Sequence, residues 1–281
     1  MLILKILITT IMPHISVFLP LISSLMLIPF CSFDQKAPEV LICYGKLQAE
    51  KIAGYQTLIL EPKHYFASNI RVFKKQNKEV YAYISLGEVN VNAPHYANLS
   101  SLTNGKNEQW DSHYLNLEAP KTTKVLLELI DSIFATGYDG LFLDNIDNFN
   151  QYGPQKEQKE ALIQLIQKIK SKYPNKKLIQ NAGLALVPET STYISAIAIE
   201  SVASAYDFKS QQYQLSSDEQ WKTRSADVIA VQKKYQKPII LIEYADSSAL
   251  FTQIQDRANT LDCSLFVGAI DLQKLPTIYS N

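Results

Sequence analysis

Residues 137–147 read GYDGLFLDNID, and this stretch carries the clearest structural signal in the chain. Its apolar run ends at Asp144 and is short, which is typical of a strand buried on both faces of a parallel sheet. Apolar residues at helical spacing precede the run at 122–135 and follow it at 155–173. The order helix, strand, helix predicts a fold in which strands and helices alternate.

The same alternation continues along the rest of the chain. Eight apolar, β-branched or aromatic runs predict strands at Val40–Gly45, Thr57–Leu60, Val80–Leu86, Gly140–Leu143, Lys177–Gln180, Ala196–Glu200, Pro238–Glu243 and Ser264–Ile270. Further helical patterns lie at Tyr65–Gln76, Ser217–Tyr235 and Ser247–Leu261. Together they predict an α/β protein in which residues 38–281 form one (β/α)8 TIM barrel, a fold of about 250 residues. The alternative is an open doubly wound sheet, whose glycine fingerprint the sequence lacks.

Charge and motif content exclude several classes of protein. Lys and Arg number 27 and Asp and Glu number 27, and this neutral balance argues against a nucleic-acid-binding protein. The hydrophobic fraction of 47% argues against a disordered chain. The sequence has no GxGxxG or GxxxxGKS/T motif, and no histidine or carboxylate cluster has metal-ligand spacing. We therefore expect neither a cofactor nor a metal.

The first 31 residues differ from the rest. An apolar stretch, residues 6–30, ends at Cys31 before the polar SFDQKAP, and this pattern predicts an export signal. Cys31 resembles the processed cysteine of bacterial lipoproteins; an ordinary signal peptide or an uncleaved membrane anchor is the alternative. We expect an extracellular, periplasmic or membrane-tethered protein that meets a membrane only through this segment or a lipid on Cys31. Cys43 and Cys263 either pair or remain buried thiols.

Carboxylates follow most of the predicted strands. The functional site of a (β/α)8 barrel lies at the carboxyl ends of its strands, which here carry Glu61, Glu88, Asp144, Glu200, Glu243 and Asp271, with Asn181 ending the fifth strand. Glu200 and Glu243 end apolar runs directly, where a carboxylate is costly unless it is paired or lies in a solvated cleft. We interpret Asp144 and Glu200 as the principal functional carboxylates and Asp147 as a loop residue.

Carboxylates without a catalytic histidine or a GxSxG motif point to glycoside cleavage. One carboxylic acid protonates the leaving oxygen, while a second carboxylate attacks the sugar or activates water. Aromatic side chains favour the same chemistry, because they stack on sugar faces while their polar atoms bond hydroxyls. Tyr44, Tyr83 and Tyr244 lie in or beside strand ends, and Trp110 lies in the long connection 89–120. Loops of that length are usually functional or disordered.

Several segments resemble glycoside hydrolase family 114, the endo-α-1,4-polygalactosaminidase-like barrels. They are YAYISLGE (81–88) with WDSHY (110–114), GYDGLFLDNID (137–147), LIQNAG (178–183), AIAIES (196–201) and LIEYAD (241–246). The segment SVASAYDFKS (201–210) does not align with the family pattern. The resemblance implies that Asp144 and Glu200 are the catalytic carboxylates. It also implies a cationic, galactosamine-rich polysaccharide as the substrate, acted on outside the cell.

These observations predict an exported O-glycosyl hydrolase. We assign Asp144 as the nucleophile and Glu200 as the general acid/base, and the resemblance favours retention of configuration. The substrate-binding residues are assigned as Tyr44, Glu88, Trp110, Asn181, Glu243 and Tyr244. Converging carboxylates, with Lys46 as the nearby cation, predict an acidic mouth suited to a partly deacetylated hexosamine polymer; a bound metal ion is the competing explanation. A carbohydrate-binding barrel without activity and a surface interaction protein are the alternative functions.

Overall fold

The computed structural model describes residues 39–276, and an eight-stranded parallel sheet forms its centre. The strands are β1 (Val40–Cys43), β2 (Thr57–Leu60), β3 (Glu79–Ser85), β4 (Gly140–Asp144), β5 (Lys177–Asn181), β6 (Ala196–Glu200), β7 (Ile239–Tyr244) and β8 (Ser264–Gly268). Each strand pairs in parallel with the next in chain order. The predicted barrel strands are therefore confirmed. The predicted export segment, residues 1–31, lies outside the described residues.

The sheet nearly closes into a barrel. β1 and β8 lie side by side, and just beyond them the Tyr44 amide donates to the Leu272 carbonyl at 2.7 Å. At the opposite end the Ser264 hydroxyl donates to the Glu39 carboxylate at 2.8 Å. All residues of β1 and β7 are buried, as expected for strands that are covered on both faces.

From β2 onwards, α-helices lie between successive strands and pack on the sheet through apolar side chains such as Ile70 and Phe73. They are α1 (Ala67–Gln76), α2 (Tyr96–Leu99), α3 (Pro120–Ala135), α4 (Lys159–Lys172), α5 (Val187–Thr190), α6 (Asp218–Tyr235) and α7 (Ser248–Ala258). Short 3-10 helices occupy Ala49–Lys51, Pro62–His64, Ser100–Leu102, Ile146–Phe149, Lys156–Gln158 and Leu184–Leu186. α6 begins where predicted because Ser217 and Gln220 form a reciprocal capping box. Within residues 39–276 no helix is both long enough and apolar enough to cross a bilayer.

Two antiparallel excursions extend from the carboxyl ends of the barrel strands. The small sheet follows β3 and consists of Glu88–Asn90, Thr103–Asn107 and Ser112–Leu115, with the last strand in the middle. The hairpin follows β6 and pairs Ser204–Asp207 with Gln212–Leu215. The sequence did not predict these strands, because they are short and largely polar.

Cys43 and Cys263 are both free thiols. Burial raises the pKa of both, that of Cys263 to about 12. Of the two alternatives for this pair, the structure shows separate thiols rather than a disulfide.

Candidate active site

A cleft of about 540 Å³ opens at the carboxyl ends of the barrel strands. The predicted site residues that line it are Tyr44, Glu88, Trp110, Asp144, Glu200 and Tyr244. The other two, Asn181 and Glu243, are 2% and 0% exposed and lie beneath its surface. The carboxyl ends of parallel strands meet at one end of a barrel, so residues distant in sequence gather there.

Asn181 links the two principal carboxylates. Its Nδ2 donates to Asp144 Oδ1 at 2.8 Å and to Glu200 Oε1 at 2.6 Å. The two accepting oxygens are therefore at most about 5.4 Å apart, which is the total of these two distances. The Asp144 carboxylate can only accept hydrogen bonds, so the amide nitrogen of Asn181 faces it. The amide oxygen of Asn181 is buried and has no hydrogen-bond partner among residues 39–276.

Two tyrosines also donate hydrogen bonds to these carboxylates. The Tyr83 hydroxyl donates to Asp144 Oδ2 at 2.8 Å, and the Tyr244 hydroxyl donates to Glu200 Oε2 at 2.5 Å. Burial, with the nearby negative charges, raises the pKa of both tyrosines well above the ordinary value. Both phenols therefore remain protonated donors. Tyr44 packs against Tyr83 with ring centroids 4.5 Å apart.

The environment of Glu200 favours its protonated form. Burial raises the pKa of Glu200, and the negative charge of Asp144 raises it further. Hydrogen bonds from Tyr244 and Asn181 oppose this change without cancelling it. A carboxyl group held in this way can keep a proton at a pH where an ordinary glutamate has lost it.

The backbone turns in the same way after each of the three central side chains. Asn145, Ala182 and Ser201 directly follow Asp144, Asn181 and Glu200, and their φ angles are 61°, 58° and 56°. Left-handed backbone is uncommon for residues other than glycine, and such conformations often occur at functional sites. The chain therefore leaves all three strands sharply, immediately after the side chains that meet in the cleft.

Glu88 joins the cleft wall to the small sheet. It is 6% exposed, and its carboxylate accepts hydrogen bonds from Ser112, from Asn148 at 2.8 Å and from Asn107 at 3.2 Å. A carboxylate with this many donors is held in a fixed position. Glu88 thus lines the cleft while it connects β3, the small sheet and the loop after β4.

Glu243 occupies a different environment from the one that the sequence suggested. Its Oε1 accepts from the backbone amides of Val202 and Ala203, both at 2.9 Å. Its Oε2 accepts from the Ser204 amide at 2.7 Å and from the Ser204 hydroxyl at 2.5 Å. The Ser204 hydroxyl oxygen accepts in turn from the Tyr244 amide at 2.9 Å. Glu243 therefore holds the segment between Glu200 and the hairpin and does not line the cleft.

An aromatic rim covers one side of the cleft. It consists of Trp110, from the turn of the small sheet, and Tyr206 and Phe208 of the hairpin. Phe208 contacts Trp110 and Tyr206 with ring centroids 5.7 and 4.9 Å apart. Sequence reasoning identified Trp110 but missed Tyr206 and Phe208, because no local pattern marked the hairpin.

The charges around the cleft match the predicted acidic mouth only in part. Its carboxylates are Glu88, Asp144, Asp147, Glu200 and Asp271. Asp147 is an exposed side chain that lines the cleft, which sequence reasoning did not expect. Partial desolvation in the cleft and the charge of Asp144 raise its pKa. Glu61 instead lines a second cavity of about 440 Å³. Within residues 39–276 the cationic side chain that lines the cleft is that of Arg224 rather than Lys46.

No group of three or more His, Cys, Asp or Glu side chains within residues 39–276 is arranged to hold a metal ion.

Solved structures with the same fold include the glycoside hydrolase domain of PelA and the protein Ega3. The glycoside hydrolase domain of PelA from Pseudomonas aeruginosa is 24% identical with a TM-score of 0.75, and the match covers 84% of this chain and 96% of that one. Ega3 of Aspergillus fumigatus, crystallised in complex with galactosamine, is 16% identical with a TM-score of 0.66, and the match covers 83% and 91% of the two chains. At these identities the likeness establishes the (β/α)8 fold.

Sequence comparison identifies the family. A curated, uncharacterized protein of Deinococcus radiodurans is 23% identical over 162 residues, which cover 56% of this chain and 51% of that protein. The chain thus spans about half the length of the curated relative it matches. The model of the glycoside-hydrolase family GH114 matches residues 48–279, most of the chain. The protein therefore belongs to glycoside-hydrolase family GH114.

Proposed function

We propose that this protein hydrolyses a cationic, galactosamine-rich polysaccharide by double displacement, with Asp144 as the nucleophile and Glu200 as the general acid/base. The observation that carries the proposal is the pair of hydrogen bonds from Asn181, which hold one oxygen of each carboxylate within about 5.4 Å. Retaining glycosidases separate their two carboxyl groups by about 5–5.5 Å, whereas inverting enzymes need roughly 6.5–9.5 Å. The short separation favours retention.

In the first step, Glu200 donates its proton to the glycosidic oxygen while an oxygen of Asp144 attacks the anomeric carbon. The bond between that carbon and the leaving oxygen breaks, and a glycosyl ester of Asp144 forms. Tyr83 and Asn181 orient Asp144 through their hydrogen bonds. The raised pKa of Glu200 keeps the required proton available.

In the second step, water replaces the departed sugar. Esterification removes the negative charge of Asp144, so one cause of the raised pKa of Glu200 disappears. Glu200, now a carboxylate, takes a proton from water while the water oxygen attacks the anomeric carbon. The ester bond breaks, and Asp144 returns as a carboxylate. The same pair of residues therefore supplies an acid and then a base.

The charge of the cleft supports the choice of substrate. Its carboxylates outnumber the two that bond cleavage requires, and like charges crowded in a cleft disfavour one another unless a cation is expected. A sugar chain carrying ammonium groups supplies that cation, and a negative cleft increases its rate of capture. The galactosamine bound to Ega3 is consistent with this choice.

The test is turnover of an α-1,4-linked galactosamine polymer, followed through new reducing ends. Asp144→Asn and Glu200→Gln should each lower kcat by at least about a thousandfold, whereas Asp246→Asn, at an exposed loop position, should not. With an aryl α-galactosaminide, whose leaving group needs no proton, azide should restore turnover in smaller variants with opposite stereochemistry: an inverted glycosyl azide from Asp144→Ala and a retained one from Glu200→Ala. Near-normal activity in either Asp144→Asn or Glu200→Gln would contradict the assignment. Binding without turnover by the wild type would favour a carbohydrate-binding barrel.

We also propose export, from the apolar stretch 6–30 and Cys31. Cell fractionation and palmitate labelling test this proposal. If the protein is exported and carries a palmitate label that disappears in Cys31→Ser, it is a lipoprotein. Export without label supports an ordinary signal peptide or an uncleaved anchor. Retention in the cytoplasm contradicts the proposal.

A further inference from the structure

Arg224 is the one cationic side chain that lines the cleft within the described part of the chain, residues 39–276. It lies on α6 and is exposed. One of its Nη atoms donates to the backbone carbonyl oxygen of Glu200 at 3.0 Å, and no other hydrogen bond to the guanidinium is found within residues 39–276. Its remaining N–H groups are therefore free to bind a ligand in the cleft.

The charges are distributed unevenly about the two principal carboxylates. Glu88 and Asp147 follow β3 and β4, on the side of Asp144. Arg224 contacts the end of β6, on the side of Glu200. Because β5 separates β4 from β6, Glu88 and Asp147 lie on the opposite side of the scissile position from Arg224, while Asp271, a further cleft carboxylate, follows β8.

A guanidinium has opposite effects on the two forms of an amino sugar. It repels a free ammonium group through charge, and the repulsion is only partly screened in a cleft. It binds the carbonyl oxygen of an acylated amine, because all its hydrogens are donors. Tyr206 and Phe208, which line the same cleft, offer apolar surface for the acyl methyl group.

We infer that the cleft binds two unlike sugars, a free amino sugar on the β4 side and an N-acylated amino sugar on the β6 side, where Arg224 determines the choice. This inference rests on the proposed function, since it takes the substrate to be a hexosamine polymer. The preferred substrate is consequently a partly acylated polymer, cleaved between an acylated and a free unit.

Binding tests the role of Arg224 without turnover. The full chain carrying Asp144→Asn is titrated calorimetrically at low salt with an α-1,4-linked galactosamine tetrasaccharide and with its fully N-acetylated form. Adding Arg224→Gln should tighten binding of the cationic oligosaccharide about fivefold and weaken binding of the acetylated one about threefold. Lys222→Gln, which removes the same charge from an exposed position on α6 outside the cleft, should change neither. An unchanged ratio of the two dissociation constants in Arg224→Gln overturns the inference.

Cleavage of a randomly half-acetylated polymer provides the second readout. Each cleavage creates a new reducing end and a new non-reducing end. With the wild type, mass spectrometry should find that one of these two ends carries acetylated units more often than the polymer as a whole. This enrichment should disappear with Arg224→Gln. Random ends with the wild type overturn the inference while leaving the proposed activity intact. If the wild type cleaves no polymer but Arg224→Gln still changes the binding ratio, the proposed activity fails and the two-sided cleft stands. If neither oligosaccharide binds, both proposals fail.

Discussion

The rings of Trp110 and Phe208 meet edge to face, with centroids 5.7 Å apart and planes at 88°. The contact joins the turn of the small sheet to the turn of the hairpin. Both side chains line the cleft and keep 48% and 46% of their surface exposed. Half-exposed aromatic rings at the rim of a cleft provide a surface on which a sugar can stack.

Trp110→Ala and Phe208→Ala should each raise KM for the polymer by about tenfold with little change in kcat, because stacking holds the chain and not the reacting atoms. The double variant should raise KM by less than the product of the two single increases, since the two rings share a contact. Tyr152→Ala is the control, because Tyr152 is 88% exposed and lies outside the cleft. An unchanged KM in both single variants would show that the rim does not bind substrate.

Asn181→Ala should lower kcat by about a hundredfold, because both carboxylates lose a donor that holds them in position. KM should change little, since Asn181 lies beneath the cleft surface. Initial rates over a range of polymer concentrations separate the two constants. Asn104→Ala, at an exposed position in the small sheet, is the matched control. A rise in KM with normal kcat would instead make Asn181 a substrate-binding residue, as the sequence suggested.

The stability of the protein should depend on the ionisation of Glu200. Burial and the charge of Asp144 raise its pKa above that of the unfolded chain. Its contribution to stability is therefore complete below the unfolded pKa of about 4.3 and is lost as the pH rises through the folded pKa. Glu200→Gln, which cannot ionise, should be more stable than the wild type at about pH 7, and the difference should shrink towards about pH 4.

Urea unfolding at both pH values measures this difference. Glu118→Gln, at an exposed position, should show no comparable change. A stability difference between Glu200→Gln and the wild type that is equal at the two pH values would mean that the folded protein does not disfavour the Glu200 charge.

Glu243→Gln should lower the free energy of unfolding by about 2–4 kcal/mol. An amide at this position turns donors towards the backbone amides of Val202, Ala203 and Ser204, which then lose their acceptor in the protein interior. The substitution preserves volume, so no cavity contributes. Denaturant unfolding checks the value, with Asp246→Asn on the adjacent exposed loop as the control. Normal stability with an altered KM would return Glu243 to the substrate-binding residues.

Activity on the cationic polymer should fall as ionic strength rises and should not respond to EDTA. Salt screens the attraction between the acidic cleft and the ammonium groups over a Debye length of about 10 Å at 0.1 M. Turnover assays across a salt series, with and without EDTA, provide the measurement. Loss of activity in EDTA would support a bound metal ion, and equal activity on a fully acetylated, neutral polymer would exclude substrate charge as the reason for the acidic mouth.

The barrel and its central carboxylates follow from local sequence. Strands such as GLFLD and AIAIE are recognisable because a strand covered on both faces must be apolar along its whole length. A carboxylate that ends such a run is unfavourable unless it reaches solvent or donors. Since parallel strands in a barrel end at the same face, Asp144, Asn181 and Glu200 had to lie near one another, and the structure places them in direct contact.

The identity of the lining residues depended on tertiary structure, because contacts between distant segments leave no local pattern. Glu243 ends an apolar run as Glu200 does, yet backbone amides some forty residues earlier in the chain enclose it. Arg224 lies on a helix that the sequence predicted, but only the docking of α6 against β6 brings its guanidinium into the cleft. Sequence alone thus determined the strands and which end of the barrel carries the carboxylates. The packing of the small sheet, the hairpin and α6 decided which side chains surround the cleft, since burial and hydrogen bonding of a polar group depend on neighbours that are distant in sequence.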